Sequence, residues 1–222
     1  MEPRTSRRTT LLSRPAAGTL VAILAALVLA ADQFSKHLAL TNLPYQEPVE
    51  VWGQFLQFYL TRNPGAAFSF GEEVTWVFTL VLAAAAVTIV VLAVTRVRSR
   101  TWAIVLGLLL GGILGNLTDR LLRDPGFLVG HVVDFINTPW MWLGMNPAIY
   151  NVADMFIVTM MIGVALLVLR GRRLNGSRDG ADAHLGHQLH VDAGLRVGVL
   201  QVVDQLREIL DRVDVVVRGR RD

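Results

Sequence analysis

The sequence predicts an all-α membrane protein in which four transmembrane helices carry a small extracytoplasmic, β-rich interfacial element between the first two. Composition indicates the class, because 53% of the 222 residues are hydrophobic and the mean hydropathy is +0.46, too apolar for an ordinary soluble domain. Four apolar segments give the number of helices, since each approaches the roughly 20 residues needed to cross about 30 Å of hydrocarbon. Clusters of arginine between them indicate the orientation.

The four apolar segments cover about residues 18–40, 74–95, 101–122 and 147–169. Basic clusters flank them: Arg4, Arg7, Arg8 and Arg14, then Arg96, Arg98 and Arg100, then Arg170, Arg172 and Arg173. If all four segments span, these clusters fall on one side of the membrane, which the positive-inside rule makes the cytoplasm. Both termini are therefore predicted to be cytoplasmic, and the longer connections, 41–73 and 123–146, to face outward.

The predicted organisation has three parts: a basic cytoplasmic N-terminus (1–15), a four-helix transmembrane domain (16–170) and a cytoplasmic tail (171–222). The tail starts with residues 171–194, whose richness in Gly, Asp, His and Arg predicts a flexible linker. Apolar residues at helical spacing over 198–216 then predict an amphipathic helix, with disorder as the alternative. A cleaved signal peptide is the alternative for the first segment. It is disfavoured because it would leave three spans and put the N-terminus opposite the remaining arginine clusters.

Both outward connections carry signals of local structure. Aromatic residues in partial alternation over 50–60 predict a short strand or hairpin at the membrane interface, and Asn63-Pro64-Gly65 is typical of a turn. In the second connection, Pro125-Gly126 ends the third helix. Pro147 fits the first turn of the fourth helix, so we expect that helix to begin there.

Two aspartates stand out: Asp134 in an apolar stretch of the second outward connection and Asp154 near the start of the fourth segment, on the same helix face as Asn151. Carboxylates near hydrocarbon are costly and usually mark function. If the connection folds back over the helix start, the two carboxyl groups meet and titrate as a coupled pair, the minimum for acid–base chemistry on a peptide bond. Apolar neighbours should raise the pKa of Asp134. Taken alone, Asp154 would only favour a helix N-terminus electrostatically.

Further polar side chains lie toward the outer end of their segments. Asp32 and Lys36 are four residues apart, acid first, which favours an ion pair. Asn116 and Arg120 share a helix face, and Arg120 offers a bidentate fork to a phosphate or to Asp119. Interfacial snorkelling or helix packing is the alternative role for these side chains.

Other chemistries are excluded or weakly supported. The chain has no cysteine, which excludes disulfides, thiolate metal sites and a cysteine nucleophile. No His-Glu-x-x-His motif is present, so no metal site is expected, and the net charge of +3 without an aromatic-interleaved basic patch predicts no nucleic-acid binding. A Ser69–Lys36 nucleophile–base pair is conceivable. The rival function is a small ion-conducting bundle, which predicts polar residues through the whole bilayer depth.

Five blocks of the sequence, taken together and in order, resemble a known family. They are Asp32-Gln33-x-Ser35-Lys36, Asn63-x-Gly65-Ala66-Ala67-Phe68-Ser69, Gly112-x-x-Gly115-Asn116-x-x-Asp119-Arg120, Gly130-His131-Val132-Val133-Asp134-Phe135 and Asn151-Val152-Ala153-Asp154. Over about residues 16–170 the chain resembles lipoprotein signal peptidase, the bacterial signal peptidase II, an intramembrane aspartyl protease. The stretch between Arg120 and Gly130 is longer than that family's compact pattern.

The resemblance implies that the protein cleaves diacylglyceryl-modified prolipoproteins just before the lipidated cysteine, at the outer face of the bacterial cytoplasmic membrane. It implies that Asp134 and Asp154 are catalytic and that no metal or organic cofactor is needed. The family's remaining motif positions, implied to bind substrate or hold the two acids, fall on Asp32, Lys36, Asn63, Gly65, Asn116, Asp119, Arg120 and Asn151. Lipidated precursors and membrane lipid are the expected partners, and the protein is expected to act as a monomer.

Overall fold

Helices dominate this computed structural model, which describes residues 11–65, 75–142 and 147–177. The helices are α1 (Arg14–Asn42), α2 (Thr75–Thr95), α3 (Arg100–Leu122) and α4 (Val152–Leu169). The strands are β1 (Pro48–Trp52), β2 (Leu56–Asn63) and β3 (Val132–Asn137), and a short 3-10 helix follows at Pro139–Trp142. Within the described residues, all four α-helices are long and apolar enough to cross a membrane, as the sequence predicted.

The three strands form one antiparallel sheet in the order β1-β2-β3. The first two strands form the hairpin predicted between the first two helices. The third comes from the connection between α3 and α4, so the prediction that confined the β-element to the first connection is wrong. The pairing of β2 with β3 sets Arg62 opposite Val133 and Asn63 opposite Val132. Because side chains alternate along a strand, Asn63, Val132 and Asp134 share one face of the sheet and Arg62 and Val133 the other.

The start of α4 differs from the prediction. The helix begins at Val152, and Pro147 lies outside it. Asn151 is the N-cap: its side chain accepts a hydrogen bond from the Asp154 N–H, and the Asp154 carboxylate accepts one from the Asn151 N–H. This reciprocal capping box fixes the helix start. The preceding residue cannot be helical, because Tyr150 exchanges backbone hydrogen bonds with Ile136 of β3.

Helix α3 is the centre of the bundle. In it, 67% of the apolar window is buried, against 28% or less in the other three helices. Glycines allow its neighbours to come close: a Cβ on Gly111 would lie 2.5 Å from the Val28 Cβ of α1, and a Cβ on Gly112 would lie 2.7 Å from the Ala153 carbonyl oxygen of α4. Such small-residue contacts are how membrane helices pack tightly without a hydrophobic driving force between them.

Three segments that adjoin the arginine clusters meet at one end of the bundle. The Leu12 N–H donates to the Arg98 carbonyl at 2.9 Å, and the Arg98 N–H donates to the Leu174 carbonyl at 2.9 Å. The chain before α1, the α2–α3 connection and the chain after α4 are thus tied together. Of the predicted linker, residues 171–177 are described: the Arg172 carbonyl accepts a hydrogen bond from Trp102 Nε1, and the Leu174 carbonyl accepts from the N–H groups of Arg98 and Ser99. The rest of the predicted linker, the 198–216 helix and Ser69 lie outside the described residues.

We predict that Gly111→Ala lowers the thermal unfolding midpoint of the detergent-purified protein, because the added methyl group overlaps Val28 and overpacking costs about 1–3 kcal/mol. Gly163→Ala in α4 is the matched control, since its new Cβ would meet Val105 at an ordinary 3.5 Å. It should leave the midpoint unchanged or raise it slightly. Equal midpoints for the two variants would contradict the close packing of α1 on α3.

Candidate active site

Asp134 is held in β3 by two side-chain amides. The strand pairs it with Thr61, and its carboxyl group is 1% exposed. Asn63 Nδ2 donates to Asp134 Oδ2 at 2.9 Å, and Asn151 Nδ2 donates to Asp134 Oδ1 at 2.6 Å. Asn63 is itself oriented by the Gly65 N–H, which donates to its Oδ1 at 2.9 Å. The strand and the neighbouring turn therefore fix both oxygens of this carboxyl group.

Asp154 is held at the N-terminus of α4 by a different pair of donors. Asn116 Nδ2 of α3 donates to Asp154 Oδ1 at 2.7 Å, and the Asn151 N–H donates to Asp154 Oδ2 at 3.1 Å. Asn151 therefore touches both acids, one through its side chain and the other through its backbone. The fold brings Asp134 and Asp154, which are 20 residues apart in sequence, to one place.

Both acids line a cavity of about 220 Å³. Its other polar lining comes from Asn63, Gly65, Asn116 and Arg120, and its apolar lining comes from Val132 and three residues of α2, namely Phe78, Val81 and Leu82. The cavity thus combines two carboxyl groups, amide donors, one guanidinium and an apolar wall. Such a combination can bind an extended apolar peptide and transfer protons to and from its backbone.

The pKa of Asp134 is raised from its ordinary value of 3.8 to about 7. Burial is the main cause, and the charge of Asp154 adds to it. Hydrogen bonds from Asn63 and Asn151, together with the charge of Lys36, oppose the rise. The upward shift expected from the apolar sequence around Asp134 is therefore found, and this carboxyl group holds a proton for much of the time at neutral pH.

Arg120 lines the cavity and has no ion-pair partner among the described residues. It is 4% exposed, its Nη1 donates to the Gly130 carbonyl at 3.0 Å, and its Nε has no hydrogen-bond partner. The predicted fork between Arg120 and Asp119 is not formed. Adjacent helix residues do not face each other, whereas Arg123, four residues on, reaches Asp119 Oδ1 at 2.6 Å.

Only a glycine fits at position 65. Its φ is +115°, a conformation that side chains rarely adopt. A Cβ there would also lie 2.8 Å from the Phe78 ring and 3.0 Å from Arg120 Nη2. The turn therefore brings bare backbone to the edge of the cavity, between Phe78 and Arg120.

The remaining predicted residues form a buried ionic cluster next to the cavity. Lys36 Nζ lies 2.8 Å from Asp32 Oδ2 and 2.8 Å from Asp119 Oδ2, with all three side chains fully buried. It also donates to Asn116 Oδ1 at 3.0 Å. Lys36 is therefore fully engaged and unsuited to act as the base of the conceivable pair with Ser69.

Two contributions to the site were missed from the sequence. Gln33 donates to the Gly115 carbonyl and to Asp119; it stands in the first of the five sequence blocks but was not among the candidate site residues, because a neutral amide does not by itself indicate chemistry. The apolar wall comes from α2, which has no charged residue and gave no signal of function. Within residues 11–65, 75–142 and 147–177, no group of three or more His, Asp or Glu side chains could hold a metal ion.

Comparison with known proteins gives one family throughout. A family model described as signal peptidase (SPase) II matches residues 24–171. The lipoprotein signal peptidase of Leifsonia xyli subsp. xyli is 48% identical over 159 residues, covering 72% of this chain and 71% of that protein. The lipoprotein signal peptidase of Rhodococcus jostii is 42% identical over 163 residues, covering 73% and 79%.

Solved structures show the same fold. A bacterial membrane enzyme whose structure was determined by the in meso method at 1.9 Å resolution superposes with a TM-score of 0.59 at 27% sequence identity. The match covers 69% of this chain and 94% of that one.

We predict that rising pH destabilises the protein through Asp134. Because its pKa is higher in the folded state than in the unfolded chain, the folded state binds more protons between about pH 4 and 7, and the free energy of unfolding falls as pH rises through 7. Thermal unfolding at about pH 5 and pH 8 should therefore show the Asp134→Asn variant gaining stability relative to the wild type at the higher pH.

The control for this measurement is Asp124→Asn, which removes a carboxylate that is 89% exposed. Its unfolding midpoint should differ from that of the wild type by the same amount at both pH values. If Asp134→Asn behaved like this control, the raised pKa of Asp134 would be refuted.

Proposed function

This chain belongs to the signal peptidase II family and removes the signal peptide from prolipoproteins. We propose that it cleaves as an aspartic endopeptidase in which Asp134 and Asp154 are the two catalytic acids. One observation carries the proposal: a buried carboxyl group, Asp134, and a half-buried one, Asp154, come from different elements, line one cavity and share the bridging residue Asn151. The raised pKa of Asp134 supports it, because the pair then keeps one proton at neutral pH.

The reaction uses the pair as acid and base. The ionised carboxylate takes a proton from a water molecule, whose oxygen attacks the scissile carbonyl carbon. The protonated carboxyl group donates a hydrogen bond to the carbonyl oxygen. A proton is then delivered to the amide nitrogen as the C–N bond breaks, which gives a carboxylate on the signal peptide and an amine on the product. The two acids titrate as a unit, so the proton belongs to the pair.

The cavity lining suggests how the substrate lies. Asn63, Gly65 and Arg120 present polar and backbone groups to the peptide chain. Phe78 and Leu82 of α2 offer the apolar side to the residues before the cleavage point. The diacylglyceryl chains of the substrate would lie against the exposed apolar faces of the helices.

The placement of the site in the membrane follows from the ends of the bundle. The start of α1, the α2–α3 connection and the chain after α4 meet at one end, whereas the two acids lie near the other, where the sheet is. We place the arginine end in the cytoplasm and the acids toward the outer face. The exposed aromatic rings of Trp52, Phe55 and Trp140 form a cluster suited to the headgroup layer. The ring centroid of Phe55 lies 5.7 Å from that of Trp52 and 5.9 Å from that of Trp140.

An ion-conducting bundle is less well supported. Conduction requires polar groups through the bilayer depth. Here α2 has no charged residue, and the buried charges of α1 and α3 are confined to the end that carries the acids.

We predict that Asp134→Asn and Asp154→Asn each reduce cleavage of a diacylglyceryl-modified precursor by about 100- to 10,000-fold or more, because each removes one partner of the acid–base pair. Purified variants in detergent, assayed by precursor gel shift, give the measurement. Asp124→Asn, with its exposed carboxylate, should cleave at the wild-type rate. Normal processing by either site variant would refute the pair.

We also predict that the precursor must carry its lipid. Incubation of the wild-type protein with a lipidated precursor and with its unlipidated twin should give cleavage of the first alone, since the diacylglyceryl chains place the scissile bond at the depth of the acids. Equal cleavage of both precursors would show that the apolar faces of the bundle have no part in substrate selection.

A further inference from the structure

We propose that Lys36 is the positioning residue of the two acids: one buried ammonium group fixes both β3 and α4, the elements that carry Asp134 and Asp154. The inference rests on the proposed function, because it assigns a role within that site. Lys36 is not among the residues that line the cavity. It therefore acts through the groups to which it is bonded.

The ammonium group of Lys36 uses its full bonding capacity. A lysine side chain has three N–H donors. The structure gives Lys36 Nζ three acceptors: Asp32 Oδ2 at 2.8 Å, Asp119 Oδ2 at 2.8 Å and Asn116 Oδ1 at 3.0 Å. The side chain is fully buried, so these three bonds set its position.

Two of the three bonds lead to α4. Asp32 accepts the Ala153 N–H on its other oxygen at 2.9 Å, which ties α1 to the residue just before Asp154. Asn116 donates to the Asp154 carboxylate itself at 2.7 Å. The carboxylate of Asp32 also lies at a helix N-terminus, where negative charge is favoured.

The third bond leads to β3. Asp119 Oδ2, which contacts Lys36, also accepts the Val133 N–H at 3.1 Å. Val133 immediately precedes Asp134. The same ammonium group therefore holds the backbone one residue before each acid: Asp32 connects it to Ala153, and Asp119 connects it to Val133.

The helix packing is adapted to this arrangement. A Cβ on Gly115 of α3 would lie 2.5 Å from Asp32 Oδ2 and 3.1 Å from the Ala153 Cβ. With a glycine there, Asp32 of α1 passes α3 and reaches the first turn of α4. Any larger residue would separate Asp32 from Ala153.

The charge of Lys36 acts on the pKa of Asp134, an effect that a role in packing alone would not have. The charged groups acting on Asp134 are Asp154, Lys36 and Arg120, and the amides of Asn63 and Asn151 bond to it. Lys36 lowers the pKa of Asp134 and neutralises Asp32 and Asp119. Loss of the ammonium group would leave one net negative charge in the cluster, because Arg123 still balances only one of the two carboxylates, so the pKa of Asp134 would rise further.

The test is steady-state cleavage of a lipidated precursor by full-length Lys36→Met across pH. We expect kcat to fall at least tenfold, since small displacements of reacting groups cost about 100-fold. KM should stay within about twofold, because the substrate cavity is not lined by Lys36. The alkaline limb of the pH profile should move to higher pH. A residue that only stabilises the bundle would lower the active fraction and leave the pH limb of the active protein in place.

Two further variants separate charge from geometry. In Lys36→Met/Asp119→Asn the cluster of Asp32 and Arg123 is neutral again, so the pH limb should return to the wild-type position while kcat stays low. Arg62→Gln is the matched control: it removes a cation that is 47% exposed on the other face of the sheet and should leave both kcat and the limb unchanged.

Four results would overturn the proposal: a wild-type kcat and pH limb in folded Lys36→Met, a raised KM with kcat unchanged, a loss of rate that matches the loss of folded protein, or failure of both Lys36 variants to fold. The Asp134→Asn and Asp154→Asn variants keep the two hypotheses apart. If those are inactive while Lys36→Met cleaves normally, only the role of Lys36 fails.

Discussion

An ammonium group shielded from all solvent has to be neutralised where it lies, and in this protein that requirement ties together three helices and a strand. Lys36 is balanced by Asp32 and Asp119, and Asp119 is in turn balanced by Arg123. Breaking such a buried set by removing one partner costs about 3–5 kcal/mol, far more than an exposed pair is worth. The free energy of a buried charge is thereby turned into a geometric constraint on the elements that carry its partners.

That constraint requires close helices, and the glycines of α3 supply them. Gly111 brings α1 against α3, Gly112 brings α4 against α3, and Gly115 leaves the path along which Asp32 reaches Ala153. A membrane bundle has no hydrophobic force between its helices, so small residues and polar contacts have to do the packing. The residues that pack this bundle and the residues that place its acids therefore lie on the same faces of the same helices, and a packing change on α3 is felt at the site.

The parts of this structure that depend on local pattern could be predicted from the sequence, and the parts that depend on long-range pairing could not. Hydropathy gave all four spans to within a few residues, apart from the start of α4. Pro147 suggested that start, but the backbone pairing of Tyr150 with Ile136 keeps the chain extended until Asn151. The same non-local pairing adds β3 to the sheet. The ten candidate residues do lie together, because ionisable groups in apolar segments are stable only next to one another. The apolar wall from α2 could not be predicted, because α2 has no polar residue pattern that distinguishes it from an ordinary membrane helix.

Asn151 shows why the site sits at a boundary between elements. As an N-cap it satisfies the first turn of α4, and with the same side-chain amide it bonds to Asp134. A strand presents Asp134 with both oxygens bonded by amides, and a helix N-terminus presents Asp154 in a capping box. Two carboxyl groups in unlike surroundings can hold unlike protonation states, which is what an acid and a base acting together require. One element alone would give both acids the same surroundings, so the chemistry proposed here depends on β3 ending where α4 begins.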